Sequence, residues 1–269
     1  MHRCRIVIGL LAAGLGATTV LQGQNVPPWG APTPARLISL DFARPSWDGA
    51  DLDAATGLLY AGLRVPVSGS LSIVGEVPFA RFGVTGQSAT VVGNLYVGIE
   101  QTPAGSSGLI ADLGVRLPTS NESGDFGGFA APLAAFSDFD RAEAWLDELW
   151  AARGHVGYRR TSPGGFAAGF SLGGTLWASE QGEDEVLADY RAHAAYRQAK
   201  VAVGAELTGR AILTESGSFG ERTVHQLTLG VGVAAGPVWP RAFLRVPLDA
   251  DLKDTGLNQV FGLGIDWRF

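Results

Sequence analysis

From about residue 35 to the end, the chain divides into segments in which apolar residues occupy every second position. The joins between these segments alternate between short and long. A period of two belongs to a β-strand with one apolar face. Twelve such segments fall at roughly 35–43, 56–65, 70–80, 90–101, 107–117, 147–160, 165–179, 186–196, 199–213, 223–234, 238–248 and 258–269. Most are longer than the ~5–6 residues of an ordinary globular strand. They reach the ~9–11 residues with which a tilted strand crosses a bilayer.

The joins sharpen the argument. "PVSG" (66–69), "TPAGSS" (102–107), "TSPGG" (161–165), "YRQAK" (196–200) and "AGP" (235–237) are short. "RPSWDGADLDA" (44–54), "RFGVTGQSA" (81–89), the stretch from Thr119 to Arg141, "SEQGEDE" (179–185), "TESGSFGER" (214–222) and "DADLKDTGL" (249–257) are long. Transmembrane barrels keep short turns on the periplasmic side and long loops outside, whereas a soluble sandwich has no reason for such parity. The expectation is an all-β chain: a transmembrane, antiparallel, up-and-down β-barrel of about twelve strands in the outer membrane. One segment, "RAEAWLDELWAARGHVGYRR" (141–160), also reads as a helix, because Trp145, Leu146, Leu149 and Trp150 would share a helical face. The parity favours a loop or short helix to about Glu148, followed by a strand. The Thr119–Arg141 join is long enough to fold inward as a constriction or to shape a mouth.

Alternation alone does not say which face is wet, but the polar face does. In "SLSIVGEVPF", Leu71, Ile73, Val77 and Phe79 oppose Ser72 and Glu76; in "LIADLGVRL", Leu109, Leu113, Val115 and Leu117 oppose Asp112, Gly114 and Arg116. Charges of both signs sit mid-strand among Gly and Ala, in a chain with 38 Gly and only 17% charged residues. A narrow interior needs small side chains and paired ions, because unpaired buried charge is costly. The expected lumen lining is Arg64, Glu76, Glu100, Asp112, Arg116, Arg153, His155, Asp189, Arg191, His193, Glu206, Arg210, Arg241, Arg245, Asp266 and Arg268. Arginines outnumber acids in this set, which implies weak anion preference. Phe79, Trp150, Tyr158, Phe166, Trp177, Tyr190, Tyr196, Trp239, Trp267 and Phe269 lie toward strand ends, where aromatic girdles would sit.

The two ends are distinctive. Residues 1–23 have a basic start (Arg3, Arg5) and then an apolar run shorter than the ~20 residues of a membrane helix, the form of a cleaved signal peptide. Residues 24–34 are expected as a short periplasmic segment, and 35–269 as the barrel. Cys4 is the single cysteine, so no intramolecular disulfide is possible. At the other end, Phe261, Leu263, Ile265, Trp267 and Phe269 alternate with Gly, Asp and Arg. This strand resembles the C-terminal signal of bacterial outer-membrane proteins, which implies recognition by the barrel-assembly machinery.

Chemistry is sparse at the level of spacing. His155, His193 and His225 fall on different strands with no second His or Cys at metal-ligand spacing, so neither metal nor cofactor is expected. A twelve-stranded phospholipase would place Ser two residues after a His on one strand; those positions here hold Gly157, Ala195 and Leu227. Ser171 in "GFSLGG" sits within a strand and not at a nucleophile elbow. No enzyme is expected. The long joins are acidic (Asp48, Asp51, Asp53; Glu122, Asp125; Glu180, Glu183, Asp184, Glu185; Asp249, Asp251, Asp254). They read as solvated loops or as sites for divalent cations bridging to lipopolysaccharide phosphates. The net charge of −6 argues against nucleic acid. Expected partners are outer-membrane lipid, lipopolysaccharide and small solutes.

"VVGNLYVGIEQTPAGSSGLIADLGVRLPTSNES" (91–123) resembles outer-membrane barrels associated with the meta-pathway of phenol degradation, which are small-molecule transporters. That family shows Gly-Asp, a strand, a turn, a strand and Leu-Pro-Thr-Gly. Here Gly93-Asn94 stands for the first pair, and Leu117-Pro118-Thr119 is followed by Ser120. The resemblance implies a barrel that transports small molecules. The two functional expectations are a narrow channel or transporter with a polar lumen and, as the alternative, a closed structural or surface-interaction barrel whose lumen is plugged by salt bridges.

Overall fold

The computed structural model describes residues 27–30, 35–84, 86–103, 106–120, 127–179 and 184–269. The expected leader over 1–23 lies outside them, as do Glu122, Asp125, Glu180 and Glu183. Among the described residues are thirteen strands: β1 Leu37–Trp47, β2 Gly57–Pro66, β3 Leu71–Val84, β4 Gln87–Val92, β5 Leu95–Gln101, β6 Ser107–Leu117, β7 Leu149–Thr161, β8 Phe166–Ser179, β9 Glu185–Gln198, β10 Val201–Ile212, β11 Thr223–Val233, β12 Val238–Pro247 and β13 Leu257–Arg268. All pairs are antiparallel, and each strand pairs with its neighbours in sequence except that β4 and β5 do not pair with each other. The ring closes where β1 meets β13, with Leu37 opposite Arg268 and Phe42 opposite Leu263.

Thirteen strands make a twelve-stranded wall because β4 and β5 share one partner. β4 pairs with the outer part of β3 (Phe79–Val84) and β5 with its inner part (Leu71–Glu76). The segment expected as one strand over 90–101 is therefore broken at Gly93 and Asn94. Residues 81–89, expected as a loop, instead extend the β3–β4 hairpin. The alternation continues through buried Phe82, the turn is made at Gly86 with a φ of +84°, and Thr56 accepts from the Gly83 N–H at 3.0 Å. The break has a steric cause. Gly93 lies against the carbonyl of Ala144, where a Cβ would come within 2.2 Å of that oxygen.

Inside the wall runs the connection between β6 and β7. It forms an inner helix, Gly127–Ser137, and then a 3-10 helix, Phe139–Ala144. β7 begins directly afterwards at Leu149, so the 141–160 stretch divides close to Glu148. Ala130, Ala131, Ala134 and Ala135 are buried. Their small side chains let the helix backbone lie close to β3 and β4. Trp145 is fully buried, its ring edge against Tyr60 at 5.7 Å between centroids.

The exterior carries the apolar side chains. Leu40, Val97, Leu113, Val156, Phe170, Leu172, Leu229, Leu263 and Ile265 all face out and are exposed, Val156 by 66%. An apolar belt outside a closed barrel with a charged interior inverts the soluble arrangement and matches a bilayer. The molecule is an outer-membrane type β-barrel, with its short turns at the end where β1 starts and β13 stops. Two girdle assignments need correction. Trp239 is 3% exposed and lies inside, and Trp177 also faces inward, beneath the guanidinium of Arg210. Both replace an expected belt contact with an interior one, because their strand positions share parity with the buried Arg241 and Thr175.

The belt predicts its own disruption. Leu263→Arg, mid-strand on the lipid face, should cost ~2–4 kcal/mol if it sits near the midplane. Denaturant unfolding in vesicles checks this, and a loss below a few tenths of a kcal/mol would contradict the placement.

Candidate functional site

The interior is organised around acids contributed by the 3-10 helix. Glu143 is fully buried; its carboxylate lies 2.9 Å from Arg153 of β7, 2.7 Å from Arg210 of β10 and 3.7 Å from Arg116 of β6. Asp138 meets Arg141 at 2.7 Å and Arg245 of β12 at 2.8 Å. Asp140 meets Arg191 of β9 at 2.7 Å. Arg141, the one cation of the group, reaches back to Glu76 of β3 at 2.8 Å and lies over the Tyr60 ring at 3.5 Å. One short helix and its N-cap are thus tied to β2, β3, β6, β7, β9, β10 and β12.

Asn94 holds the far end of this helix. At the β4–β5 break its side chain donates to the carbonyls of Glu143 (2.9 Å) and Leu146 (2.7 Å), and its backbone N–H donates to Ala144 (2.7 Å). Its side-chain oxygen accepts from the Ser120 N–H at 2.9 Å. The Gly93-Asn94 pair is therefore the seat of the plug.

The wall residues form a second layer of pairs. Arg64 pairs with Glu100, and Arg116 with Glu76 at 2.7 Å. His155 stands between Asp112 at 2.9 Å and Asp189 at 3.4 Å, and Asp189 reaches Arg210 at 2.6 Å. Arg241 joins Asp41 at 2.9 Å and Asp266 at 2.7 Å. Arg191 lies 3.7 Å from Glu206. His193 is half-buried, with its ring across Gly169, and Arg268, half-buried at the short-turn end, donates to the Gly236 carbonyl at 3.4 Å. These two stand apart from the plug network. The C-terminal set Phe261, Leu263, Ile265, Trp267 and Phe269 points outward and is exposed.

A second element fills the short-turn end. Pro27–Gly30, in the stretch read from sequence as a short periplasmic segment, lies inside the barrel. Trp29 is 2% exposed; its carbonyl accepts from the Trp239 indole at 2.9 Å, and the Gly30 carbonyl accepts from Arg197 at 2.6 Å. Gly230 makes the notch for its ring, since a Cβ there would lie 2.0 Å from the indole. Between Trp29 and the 3-10 helix remains a polar cavity of about 60 Å³, lined among others by Asp41, Asp140, Arg191, Glu206, Arg241 and Arg245. A buried water needs ~10–15 Å³ on this scale, so the space suits a few waters or one very small solute.

Sequence reading missed Asp41, Asn94, Asp138, Asp140, Glu143 and Trp29. A signal for the acids existed: "SDFDRAE" follows an apolar run, "FAAPLAAF", in a join too apolar to stand in water. Among the described residues no group of His, Cys, Asp or Glu is arranged to hold a metal ion.

The plug acids lie outside the membrane-spanning strands, and their titration follows from their partners. Burial pushes the carboxyls of Asp138, Asp140 and Glu143 up, but the facing arginines outweigh it and hold all three below the ordinary range. Depressed carboxylates contribute stability that is present above their unfolded pKa, ~4, and lost as pH falls through the folded value. The plug should therefore stay anchored from neutral pH down past ~4 and loosen only in stronger acid; hydrogen exchange of residues 138–145 across pH checks this. Glu143→Ala, which leaves three arginines facing an empty position, should cost about 3–5 kcal/mol, measured by denaturant unfolding.

No family model and no curated protein matches the chain. Solved structures do. An outer membrane channel from Pseudomonas putida aligns with a TM-score of 0.63 at 11% identity, over 93% of this chain and 100% of that one. The NanC porin aligns at 0.55 and 6% identity, over 87% and 100%. LpxR from Salmonella typhimurium aligns at 0.47 and 14% identity, over 87% and 100%. At these identities the first two likenesses concern the fold.

Proposed function

We propose that the protein is an outer-membrane channel for small polar solutes, held closed by its own β6–β7 connection. The observation that carries this reading is the nature of the filling. A barrel meant only to be solid can be filled by wall side chains, as eight-stranded barrels are. Here the wall leaves a wider interior, and a segment with its own helices occupies it, held by ion pairs and hydrogen bonds along Asp138–Ala144 and by its alanines and Trp145 packed against β2, β3 and β4. A polar cavity remains between that segment and Trp29. Likeness in fold to an outer membrane channel and a porin is consistent with this reading.

The ions refine the expected selectivity. Asp41, Asp138, Asp140 and Glu143 add carboxylates to the interior, while the plug adds only Arg141. The intact lumen thereby loses the arginine excess on which anion preference rested. Removing the plug removes three of those acids and restores a slight excess of arginine on the wall.

The test is single-channel recording in planar bilayers. The intact protein should pass little current. A variant with residues 121–146 replaced by a short linker, combined with Trp29→Ala, should give discrete steps with weak anion selectivity. A correctly folded double variant that remains silent would favour the alternative, a closed structural barrel.

A further inference from the structure

On the lipid-facing side of the wall, three side chains from three elements form a hydrogen-bonded series. Tyr190 on β9 and His225 on β11 point outward, since their neighbours Asp189 and Gln226 are buried in the interior and successive strand residues face opposite ways. Both are paired with Gly209 of β10. A Cβ on Gly209 would lie 2.2 Å from the Tyr190 ring, so the glycine lets that ring cross β10 and set its hydroxyl against His225 Nε2. The other ring nitrogen lies 2.9 Å from Asp249 Oδ1.

Asp249 is the N-cap residue of a rim helix, Ala250–Asp254, yet it makes no side-chain cap bond. An N-cap aspartate ordinarily accepts from the first-turn N–H groups. Here its carboxylate is turned onto His225 instead, holding both the ring and the backbone N–H. The imidazole and the carboxylate are 28% and 25% exposed, so the series is open to small groups arriving from outside.

Its height on the wall indicates what could arrive. His225 is the third residue of β11 at the end with the long joins, and exposed Leu213, Phe219 and Leu248 surround that end. This is the outer boundary of the hydrocarbon layer, where tyrosines settle and where lipid acyl esters meet the headgroups. Lys253 donates to the Leu248 carbonyl at 3.1 Å, which keeps an ammonium one residue from Asp249, at headgroup level.

We propose that Tyr190, His225 and Asp249 act as nucleophile, base and orienting group in cleaving acyl esters of anionic phospholipids at the outer face of the barrel. The three roles have the geometry such a series requires: nucleophile on base, base on orienting carboxylate. Tyr190 Oη bonds to the ester carbonyl carbon as its proton passes to His225 Nε2. The ester C–O bond breaks, and the departing alcohol oxygen takes that proton. Water then adds to the acyl carbon of the tyrosyl ester and gives its proton to His225. The phenolate leaves and is reprotonated by the imidazolium, releasing fatty acid. Asp249 is a positioning residue, which fixes the orientation of the ring. Lys253 pairs with the lipid phosphate.

The test uses the full-length mature protein refolded in detergent, with dipalmitoylphosphatidylglycerol in mixed micelles as the probe and palmitate release as the readout. Tyr190→Phe and His225→Gln, each shown to be folded by a heat-dependent gel shift, should lower the rate about 100-fold or more. Asp249→Asn should lower kcat while leaving KM in place, because the imidazole loses the carboxylate that holds its ring against Tyr190; a purely structural role would change both or neither. Mass spectrometry should find a palmitoyl group on Tyr190 in the slowed Asp249→Asn variant. The proposal is overturned if the intact protein releases no palmitate, or no more than Tyr190→Phe does. The series would then only tie the rim helix to β11.

Discussion

Glu143 is a fully buried carboxylate, and the interior is arranged to make that tolerable. An ion taken out of water loses several kcal/mol of solvation unless close partners replace it. Arg153 and Arg210 do so directly, and Arg116 from slightly farther away. Those arginines are themselves buried and need further acids, which Asp189 and Glu76 supply. Pairing therefore spreads from one residue through most of the wall. The network is coupled, because removing any member leaves another charge exposed to low dielectric.

Width explains why the network needs a plug at all. Twelve strands enclose more space than side chains from the wall can fill. The β6–β7 connection solves this with a helix whose inward alanines pack closely and whose charged continuation meets the wall arginines. At the other end Trp29 supplies a flat ring for a notch shaped by Gly230. The lumen is closed by two segments of different chemistry, ionic in the middle and aromatic at the short-turn end.

Much of the barrel was legible in the chain because strand alternation and loop parity are local signals. Most strand boundaries fall within a few residues of the sequence reading. The exceptions are instructive. Residues 81–89 read as one of the long joins, yet only Gly86 within them makes a turn. The 90–101 segment looked continuous because its alternation hides a break that is set by contact with Ala144, some fifty residues away. The wall arginines and acids could be listed from parity, but not their partners. Asp138, Asp140 and Glu143 sit in no periodic pattern, and the pairing of Tyr190 with His225 across Gly209 requires knowledge of strand register.

The seat at Asn94 has a consequence for how the molecule comes into being. At that residue the main chain stops bonding to β3 and bonds to Ala144, so one rung of the wall's own ladder is supplied by the segment in the lumen. The cylinder and its filling are thus parts of a single hydrogen-bonded surface. The chain cannot complete the wall first and stow the plug later without leaving that rung open. Closing the wall and seating the plug therefore share one hydrogen bond, and a wall closed first keeps the Asn94 N–H unpaired until Ala144 arrives.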